Sequence, residues 1–305
     1  MLDCLVIGGG FAGLSAAMQL ARGQRSVVVL DAGEPRNRFS SQSHGFFTLD
    51  GVSPAEILKR AWAPLLAYPT VSRAALGRAV QATKTADGFV VASTDGQSWH
   101  SKSLVLATGV TDTLPAIPGL AERWGKTAIH CPYCHGYELR NQPTVVIASS
   151  PHSVHQAAIL PDWGPTTYCT QGQFEPDAEQ LEMLQRRGVR VERSPVVAVE
   201  GEGQQIDAVR LADGRRLAAA AVYLAPKTSF GHQLAEQLGL AVQPGMTGPV
   251  VVVDEMKQSS VPGVFVAGDN SSPMHNATLA SAAGVLAGGA AHRYLMLQYQ
   301  TVEHR

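Results

Sequence analysis

The strongest indication of the fold is the stretch Leu5-Val6-Ile7-Gly8-Gly9-Gly10-Phe11-Ala12-Gly13, near the start of the chain. A short apolar strand runs directly into the pattern G-x-G-x-x-G, and an alanine- and leucine-rich helix pattern follows to about Arg22. A second apolar run at 26–31 ends in Asp31, eighteen residues after Gly13. Strand, glycine loop, helix, strand and terminal acid together predict the βαβ unit of a dinucleotide-binding fold.

The glycine positions match the physical demands of holding a pyrophosphate. Gly8 permits the tight turn, Gly10 places no Cβ in the way of the phosphates, and Gly13 lets the helix pack close to the strand. The helix N-terminus then faces the phosphates. Asp31 is placed to accept hydrogen bonds from a ribose hydroxyl. A flexible glycine loop without a ligand is the alternative interpretation.

A second informative stretch is Cys131-Pro132-Tyr133-Cys134-His135. The two-residue spacing lets the thiols close into a small reducible ring and lowers the pKa of the attacking thiol. The same letters also fit a glutaredoxin-like redox loop, half of a zinc site, or the attachment point of a c-type haem. His135 is expected to act in catalysis, because an imidazole beside a reactive thiol can accept and donate its proton near neutral pH.

Composition narrows the class of protein. The chain has 305 residues, enough for about two domains, with 45% hydrophobic and 16% charged residues. A net charge of −1 argues against a nucleic-acid partner. No run of 18 apolar residues predicts a membrane span, and the apolar start lacks the basic region of a signal peptide. We therefore expect a reducing cytoplasm, where a close cysteine pair is more often catalytic than structural.

The other two cysteines do not complete a metal site. Cys4 and Cys169 lie in apolar strand patterns and are expected to be small buried hydrophobic residues. The chain has no second C-x-x-C, so a zinc site is not favoured. A cytoplasmic compartment also argues against covalent haem, which is normally attached elsewhere.

Four motifs give the chain a family resemblance. They are G-G-G-F-A-G at 8–13, L-A-T-G at 106–109, C-P-Y-C at 131–134 and V-P-G-V-F-V-A-G-D at 261–269. In this order, and from end to end, the chain resembles the low-molecular-weight thioredoxin reductases among the flavoprotein disulfide reductases. The resemblance implies an α/β fold of two Rossmann-like three-layer domains, the second inserted into the first.

The resemblance also implies domain bounds, a cofactor and residue roles. Residues 1–113 plus 243–305 would form a discontinuous FAD domain, and 114–242 a central domain carrying the redox cysteines. Cys134 would be the thiol beside the flavin, and Cys131 the thiol that exchanges with substrate. Homodimers are usual in this family. The residues expected to bind FAD are Gly8, Gly10, Gly13, Asp31, Thr108, Gly109, Gly268 and Asp269, with Asn37 and His44 as weaker candidates.

The central domain departs from the family where NADPH should bind. A strand at 144–147 is followed by Ala148-Ser149-Ser150-Pro151 in place of three glycines, and then by a helix pattern from about 152 to 160. Each Cβ crowds the phosphate position, and Pro151 removes a backbone donor, although proline starts a helix well. The next strand ends in Tyr168-Cys169-Thr170-Gln171, with no acid and no His-Arg-Arg cluster. The sequence predicts a degenerate NADPH site, or else one that binds in another way.

We therefore expect a flavin-dependent thiol–disulfide oxidoreductase that oxidises a dithiol and passes the electrons to FAD and then to dioxygen. The stretch C-P-Y-C-H-G-Y-E at 131–138 resembles the branch that closes disulfides in small secondary metabolites. His135 stands where the family commonly has an acid. The substrate would be a dithiol or disulfide, either a small molecule or a thioredoxin-like protein.

Other readings of the whole chain stay open. One is a thioredoxin reductase-like enzyme reduced by NADPH through a divergent site, or by ferredoxin. Another is a flavin-binding sensor without turnover. A frayed terminus is the simpler interpretation of the last residues, 298–305; the alternative is that Tyr299 or His304 covers one face of the flavin.

Overall fold

Two mainly parallel sheets organise the chain in the computed structural model, which describes residues 1–299. The chain divides into two compact units. The first comprises Met1–Arg38, Pro54–Thr111 and the part from Ser229 onward, and the second comprises Phe39–Ser53 and Asp112–Thr228.

The elements have the following bounds in chain order. The strands are β1 (Leu2–Ile7), β2 (Val27–Leu30), β3 (Val71–Arg73), β4 (Ala79–Lys84), β5 (Phe89–Ser93), β6 (Ser98–Leu106), β7 (Thr111–Thr113), β8 (Ala128–Ile129), β9 (Thr144–Ile147), β10 (Thr166–Cys169), β11 (Arg190–Glu192), β12 (Val196–Glu200), β13 (Ala208–Leu211), β14 (Arg216–Ala218), β15 (Ala221–Tyr223), β16 (Lys227–Ser229), β17 (Val242–Pro244), β18 (Pro249–Val251) and β19 (Val264–Val266). The α-helices are α1 (Phe11–Arg22), α2 (Pro54–Leu65), α3 (Pro132–His135), α4 (Ser153–Ile159), α5 (Ala178–Arg186), α6 (Leu234–Gln237) and α7 (Ala277–Gln298). Short 3₁₀ turns lie at Arg36–Phe39, Ala121–Arg123, Leu160–Asp162 and Asp269–Ser271.

The sheet of the first unit has the order β3-β2-β1-β6-β5-β4, with β19 also paired to β6. β1 lies parallel to β2 and β6, and β5 is antiparallel to β6. Two glycines of α7 allow this helix to pack closely against α1. A Cβ at Gly284 would overlap the carbonyl oxygen of Ala12, and a Cβ at Gly288 would overlap that of Ala16. Because β1, β2, β6 and β19 run parallel, their carboxyl ends lie at one edge of the sheet, and the loops that follow these strands meet there.

The second unit repeats the parallel arrangement. Its five strands are ordered β11-β10-β9-β15-β8, and a separate antiparallel sheet joins β12, β13 and β14. All four residues of β9 are buried, as expected of a central strand between helices. The predicted α/β fold with two Rossmann-like units is confirmed.

The division of the chain differs from the predicted domain bounds in three places, of which residues 112–113, now in the second unit, are the smallest. Residues 229–242, expected in the central domain, belong to the first unit, because Leu234 at the start of α6 is buried in the same core as Leu104. The Gln237 side chain also accepts a hydrogen bond from the Ala82 backbone N–H at 2.8 Å. Residues 39–53, expected in the FAD domain, belong instead to the second unit.

The end of α7 packs against the first unit. The Tyr299 hydroxyl donates to the Asp87 carbonyl at 3.3 Å, and the Lys102 ammonium lies 5.3 Å from the Tyr299 ring centroid. Lys102 pairs with Asp3 near the beginning of β1, the end of the sheet opposite Gly8, so Tyr299 does not cover the glycine-loop edge of its own sheet. His304 lies outside the described residues. Within 1–299, no helix combines the length and apolar character needed to cross a bilayer.

Candidate active site

The glycine loop after β1 leaves space for a ligand at one position only. Gly8 has φ of 108°, and a Cβ there would overlap the Ala107 carbonyl oxygen. A Cβ at Gly13 would overlap the carbonyl oxygen of Gly8, so this glycine serves the approach of α1 to the loop. At Gly10, by contrast, a Cβ would meet no atom within 4 Å. Gly10 therefore borders the open cradle that a pyrophosphate needs.

Asp31 is held at the end of β2 by two donors. The Gly9 N–H donates to Oδ1 at 3.0 Å, and an Arg73 guanidinium nitrogen lies 3.5 Å from Oδ2. Arg73 is itself placed over the Trp62 ring, 4.4 Å from its centroid. A carboxylate fixed in this way keeps lone pairs for ribose hydroxyls.

Asn270 joins the ends of β6 and β19. Its side-chain NH₂ donates to the Leu106 carbonyl at 3.2 Å and to the Thr108 hydroxyl at 3.1 Å. Its Oδ1 is buried and has no partner among the described residues. Gly109 has φ of 63°. The sequence prediction missed Asn270, although its place directly after the Gly268-Asp269 pair was a usable signal.

Asp269 is paired with an arginine that the sequence prediction also missed. The Arg36 guanidinium donates to Asp269 Oδ2 at 3.1 Å and lies 2.6 Å from His275 Nδ1. Asn37, beside Arg36, has a buried Oδ1 with no partner in the described chain. Gly268 has φ of 97°, which only glycine adopts readily.

The edge as a whole fits FAD. Nine of the ten predicted FAD residues lie in the first unit: Gly8, Gly10, Gly13, Asp31, Asn37, Thr108, Gly109, Gly268 and Asp269. An open cradle at Gly10 and unpartnered buried acceptors on Asn37 and Asn270 fit a ligand rich in phosphate oxygens and hydroxyl donors.

Cys131 and Cys134 form a disulfide with their Cα atoms 5.3 Å apart. Cys131 is in the extended conformation that precedes α3, and Pro132 takes the first helical position. The Cys134 N–H donates to the Cys131 carbonyl at 3.2 Å. Both cysteines are half-buried, so the disulfide is within reach of a substrate. The expectation of a C-x-x-C disulfide is confirmed.

The remaining cysteines are inert by comparison. Cys4 in β1 and Cys169 in β10 are free and buried. Burial raises the pKa of each thiol to about 12, which keeps it protonated at neutral pH. Within residues 1–299, no group of histidine, cysteine, aspartate and glutamate side chains is arranged to hold a metal ion.

His135 closes α3 beside Cys134. Its Nε2 lies 3.3 Å from the Ser40 hydroxyl oxygen, and its Nδ1 is buried without a partner in the described chain. Burial lowers the pKa of His135, while the Glu138 carboxylate acts in the opposite direction. The imidazole is therefore neutral at pH 7 and able to take a proton from a thiol.

His44, the tenth predicted FAD residue, lies in the second unit. Its Nε2 is 3.6 Å from Glu138 Oε1 and its Nδ1 is 3.5 Å from Asp50 Oδ2. These neighbours are carboxylates of the cysteine-bearing unit. Contact between His44 and the flavin stays a prediction.

The loop after β9 satisfies its own backbone donors. The Ser153 hydroxyl oxygen accepts from the Ser149 N–H at 3.1 Å and from the Ser150 N–H at 3.3 Å. The Ser149 hydroxyl in turn donates to the Ala225 carbonyl at 2.6 Å. Pro151 has no N–H. The donors that would bind a pyrophosphate at this turn are therefore occupied or missing.

The strand end after β10 is also occupied by internal bonds. The Thr170 hydroxyl donates to Glu175 Oε1 at 2.8 Å, and Glu175 pairs with Arg193 at 3.1 Å. The Gln171 side chain accepts from the Val196 N–H at 2.8 Å and donates to the Val196 carbonyl at 3.3 Å. The carboxylate at this position disfavours a ribose phosphate.

The cradle at one sheet edge and the disulfide at the start of a second Rossmann-like unit define a flavoprotein disulfide oxidoreductase. The chain belongs to the pyridine nucleotide-disulphide oxidoreductase family, whose model matches residues 2–284. It is thioredoxin reductase-like, uses FAD and acts on sulfur groups.

Two named relatives and one solved structure match this chain over nearly its whole length. The thioredoxin reductase tcpT of Claviceps purpurea is 33% identical over 311 residues, covering 97% of this chain and 95% of the relative. The thioredoxin reductase sirT of Leptosphaeria maculans is 30% identical over 305 residues, covering 94% and 92%. The crystal structure of an oxidoreductase from Agrobacterium tumefaciens is 44% identical with a TM-score of 0.93, covering 97% of this chain and 99% of that one.

Proposed function

We propose that this protein is an FAD-dependent dithiol oxidase, which closes a disulfide in its substrate and delivers the electrons to dioxygen. One observation carries the proposal: the cysteine-bearing unit keeps its Rossmann-like fold and its disulfide, while Ser153 occupies the backbone donors of the nucleotide loop. Binding of NADPH, the usual electron donor in the family that the chain resembles, is thereby disfavoured. The retained disulfide offers a thiol substrate a route by which electrons can enter instead.

The chemistry begins at the disulfide. A substrate thiolate attacks Sγ of Cys131, the exchange position implied by the resemblance, and the Cys131–Cys134 bond breaks to leave a thiolate on Cys134. The second substrate thiol attacks the substrate sulfur of the mixed disulfide. This closes the substrate disulfide and leaves Cys131 reduced, so two electrons have moved from substrate to enzyme.

His135 manages the protons of this exchange. Its neutral imidazole accepts the proton of an attacking thiol and returns it to a departing thiolate. Burial favours this neutral form at pH 7, because it lowers the His135 pKa. When bound, FAD would supply the two-electron acceptor for the reduced cysteines, and its reoxidation by dioxygen would give hydrogen peroxide.

A second candidate is a thioredoxin reductase-like enzyme that works in the opposite direction. It would be reduced by NADPH through a divergent site, or by a reduced protein such as ferredoxin. The names of the relatives favour it, since tcpT and sirT are both called thioredoxin reductases. The occupied loop after β9 and the Glu175 carboxylate after β10 argue against the NADPH route.

An anaerobic titration separates the two candidates. The holoenzyme is mixed with NADPH, NADH or dithiothreitol, and flavin absorbance is followed. We expect rapid bleaching by dithiothreitol, loss of that bleaching in Cys134→Ser, and no rapid bleaching by either nucleotide. Readmission of air with dithiothreitol should consume oxygen and form hydrogen peroxide. Rapid bleaching by NADPH would overturn the proposal.

We also propose a cytoplasmic homodimer acting on a small-molecule dithiol or a thioredoxin-like protein. The family resemblance supports the dimer, and so do the exposed apolar side chains on α7. These are Leu279, Val285, Leu286, Met296 and Leu297. Light scattering coupled to gel filtration tests the assembly, and a monomer at micromolar concentration would contradict it.

A further inference from the structure

Ser40 lies beside His135 within the cysteine-bearing unit. Its hydroxyl oxygen is 3.3 Å from His135 Nε2. Phe39, its neighbour in sequence, packs so closely on Gly125 that a Cβ added there would lie 2.6 Å from the Phe39 Cβ. An antiparallel bridge closes the rest of the segment 39–53. Ser40 is therefore held in a defined place next to the imidazole.

The single hydroxyl proton of Ser40 is already committed to another acceptor. The hydroxyl donates to the Gln42 backbone carbonyl at 2.6 Å, an ordinary length for an O–H···O hydrogen bond. A serine oxygen has one proton but two lone pairs, so it can accept one bond while it donates another. Toward His135 the Ser40 oxygen is therefore the acceptor, and the Nε2–H group is the donor.

This direction of the hydrogen bond determines the tautomer of the imidazole. A neutral imidazole carries one N–H group and one nitrogen with a free lone pair. With the proton on Nε2, the lone pair is on Nδ1, which is buried without a partner in the described chain. The other tautomer would turn the Nε2 lone pair toward those of Ser40 and would bury an N–H group at Nδ1 without an acceptor. Both features disfavour it.

We propose that Ser40 is a positioning residue that holds neutral His135 as the Nε2–H tautomer and thereby makes Nδ1 the atom that takes the thiol proton. When a substrate thiol attacks, its S–H bond breaks, an N–H bond forms at Nδ1, and the thiolate attacks the disulfide. The imidazolium then returns the proton to the thiolate released on Cys134.

The hydrogen bond to Ser40 is compatible with both protonation states of the ring. Nε2 carries a proton in the neutral Nε2–H tautomer and in the imidazolium, so Ser40 accepts from it before and after each transfer. The ring therefore does not have to turn between gaining and losing a proton at Nδ1. The inference rests on the proposed role of His135 in proton transfer, and it applies to either direction of electron flow.

NMR measures the tautomer directly. Holoenzyme labelled with ¹⁵N in its histidine rings is studied at pH 8 by long-range ¹H–¹⁵N correlation, which distinguishes a protonated ring nitrogen from an unprotonated one. The His135 signals are assigned by their loss in His135→Gln. In the native protein we expect the proton on Nε2, and in Ser40→Ala we expect a severalfold larger share of the Nδ1–H form.

Two further variants provide the comparison. Ser40→Thr keeps a hydroxyl and should retain the native tautomer. Ser41→Ala removes the hydroxyl of an exposed neighbour and should also leave the tautomer unchanged. A native His135 that is protonated on Nδ1, or equal tautomer ratios in Ser40→Ala and Ser41→Ala, would overturn the proposal.

Thiol exchange tests the consequence for reactivity. The holoenzyme is reduced with a phosphine, freed of reductant without oxygen, and mixed with 5,5′-dithiobis(2-nitrobenzoate) in a stopped-flow instrument. Ser40→Ala should react severalfold more slowly than Ser41→Ala. In a His135→Asn background the same change should have no further effect, because Ser40 acts through the imidazole. An equal loss in both backgrounds would show a purely structural role and would refute the proposal.

These measurements are separable from the test of the dithiol-oxidase proposal. If the native enzyme fails to oxidise dithiothreitol, that proposal fails, whereas the tautomer and the exchange rates still decide on Ser40. If the enzyme oxidises dithiothreitol but His135 is protonated on Nδ1, only the inference about Ser40 fails.

Discussion

The Ser153 hydroxyl oxygen lies 3.1 Å from the backbone nitrogen of Ser149 and accepts its hydrogen bond. It takes a second bond from Ser150, so one fully buried side chain occupies two adjacent backbone donors. A pyrophosphate would need such donors at the same kind of strand–helix turn. This loop thus lacks the expected glycines, and the Ser153 side chain accepts the hydrogen bonds that a pyrophosphate would otherwise accept.

Ser153→Ala should destabilise the protein without creating a nucleotide site. The substitution leaves the N–H groups of Ser149 and Ser150 partly buried and unpaired, which costs about 1–3 kcal/mol. Urea denaturation measures the loss, with the exposed Ser41→Ala as control. The variant should still resist bleaching by NADPH, because Pro151 offers no donor. Bleaching by NADPH in this variant would show that Ser153 alone blocks the site.

Gly10→Ala should weaken FAD binding while preserving the fold. The added methyl group meets no protein atom within 4 Å but stands in the open cradle. We expect roughly tenfold weaker binding, or about 1.4 kcal/mol, measured by flavin release and by reconstitution of the apoprotein. Gly289→Ala on the exposed side of α7 is the matched control, since its Cβ also meets no atom. Equal FAD affinity in the two variants would contradict the assignment of the cradle.

Thiol labelling should separate two pairs of cysteines. After reduction, iodoacetamide at pH 8 should modify Cys131 and Cys134 in the native protein. Cys4 and Cys169 should stay unmodified until unfolding, because burial raises the pKa of each to about 12. Mass spectrometry of native and urea-unfolded samples counts the added groups. Early modification of Cys169 would show that β10 opens far more readily than its burial indicates.

The two redox cysteines should differ in their reaction with a small disulfide. The reagent is 5,5′-dithiobis(2-nitrobenzoate). If Cys131 exchanges with substrate, then the Cys134→Ser variant should react with it quickly and retain the resulting mixed disulfide. Cys131→Ser should react more slowly. The stopped-flow release of nitrothiobenzoate and the mass of the adduct provide the readout. A faster reaction of Cys131→Ser would reverse the two roles.

Activity should persist into mildly acidic solution. Burial lowers the pKa of His135 below its ordinary 6.5, despite the opposing Glu138, so the base form survives below that pH. The acid limb of kcat/KM for dithiothreitol should therefore have its midpoint below 6.5 and disappear in His135→Asn. Since the unfolded chain binds this proton at higher pH, the contribution to stability is complete above about 6.5 and is lost as pH falls through the folded pKa. A midpoint above 6.5 would contradict this assignment.

Local patterns predicted much of the fold. The strand 144–147 has the bounds that its apolar run indicates, and the elements from Leu2 to Leu30 follow from one continuous motif. The cradle was also predictable, because a pyrophosphate needs open space at Gly10 and Gly13 has to admit the carbonyl oxygen of Gly8 within the same loop. The close approach of Gly8 to the Ala107 carbonyl oxygen, by contrast, is a long-range contact.

Long-range contacts could not be predicted in the same way. The ion pair of Arg36 and Asp269 joins residues 233 positions apart, and no local pattern encodes such a partner. The position of His44 depends on where the segment 39–53 packs, which is set by contacts with residues near 125–138. Ser153 was hidden for a further reason, since a serine in a helix start gives no sign of which amides its hydroxyl will reach.

The packing of 39–53 onto the second unit limits how this protein can be taken apart and recombined. An excised fragment 112–228 would keep the C-x-x-C pair but leave behind Ser40 and His44, which are encoded among residues that otherwise build the first unit. Exchange of the cysteine-bearing module between relatives would separate His135 from Ser40 and Glu138 from His44. Transfer of the complete redox centre therefore requires two separate stretches of the gene, those that encode Phe39–Ser53 and Asp112–Thr228.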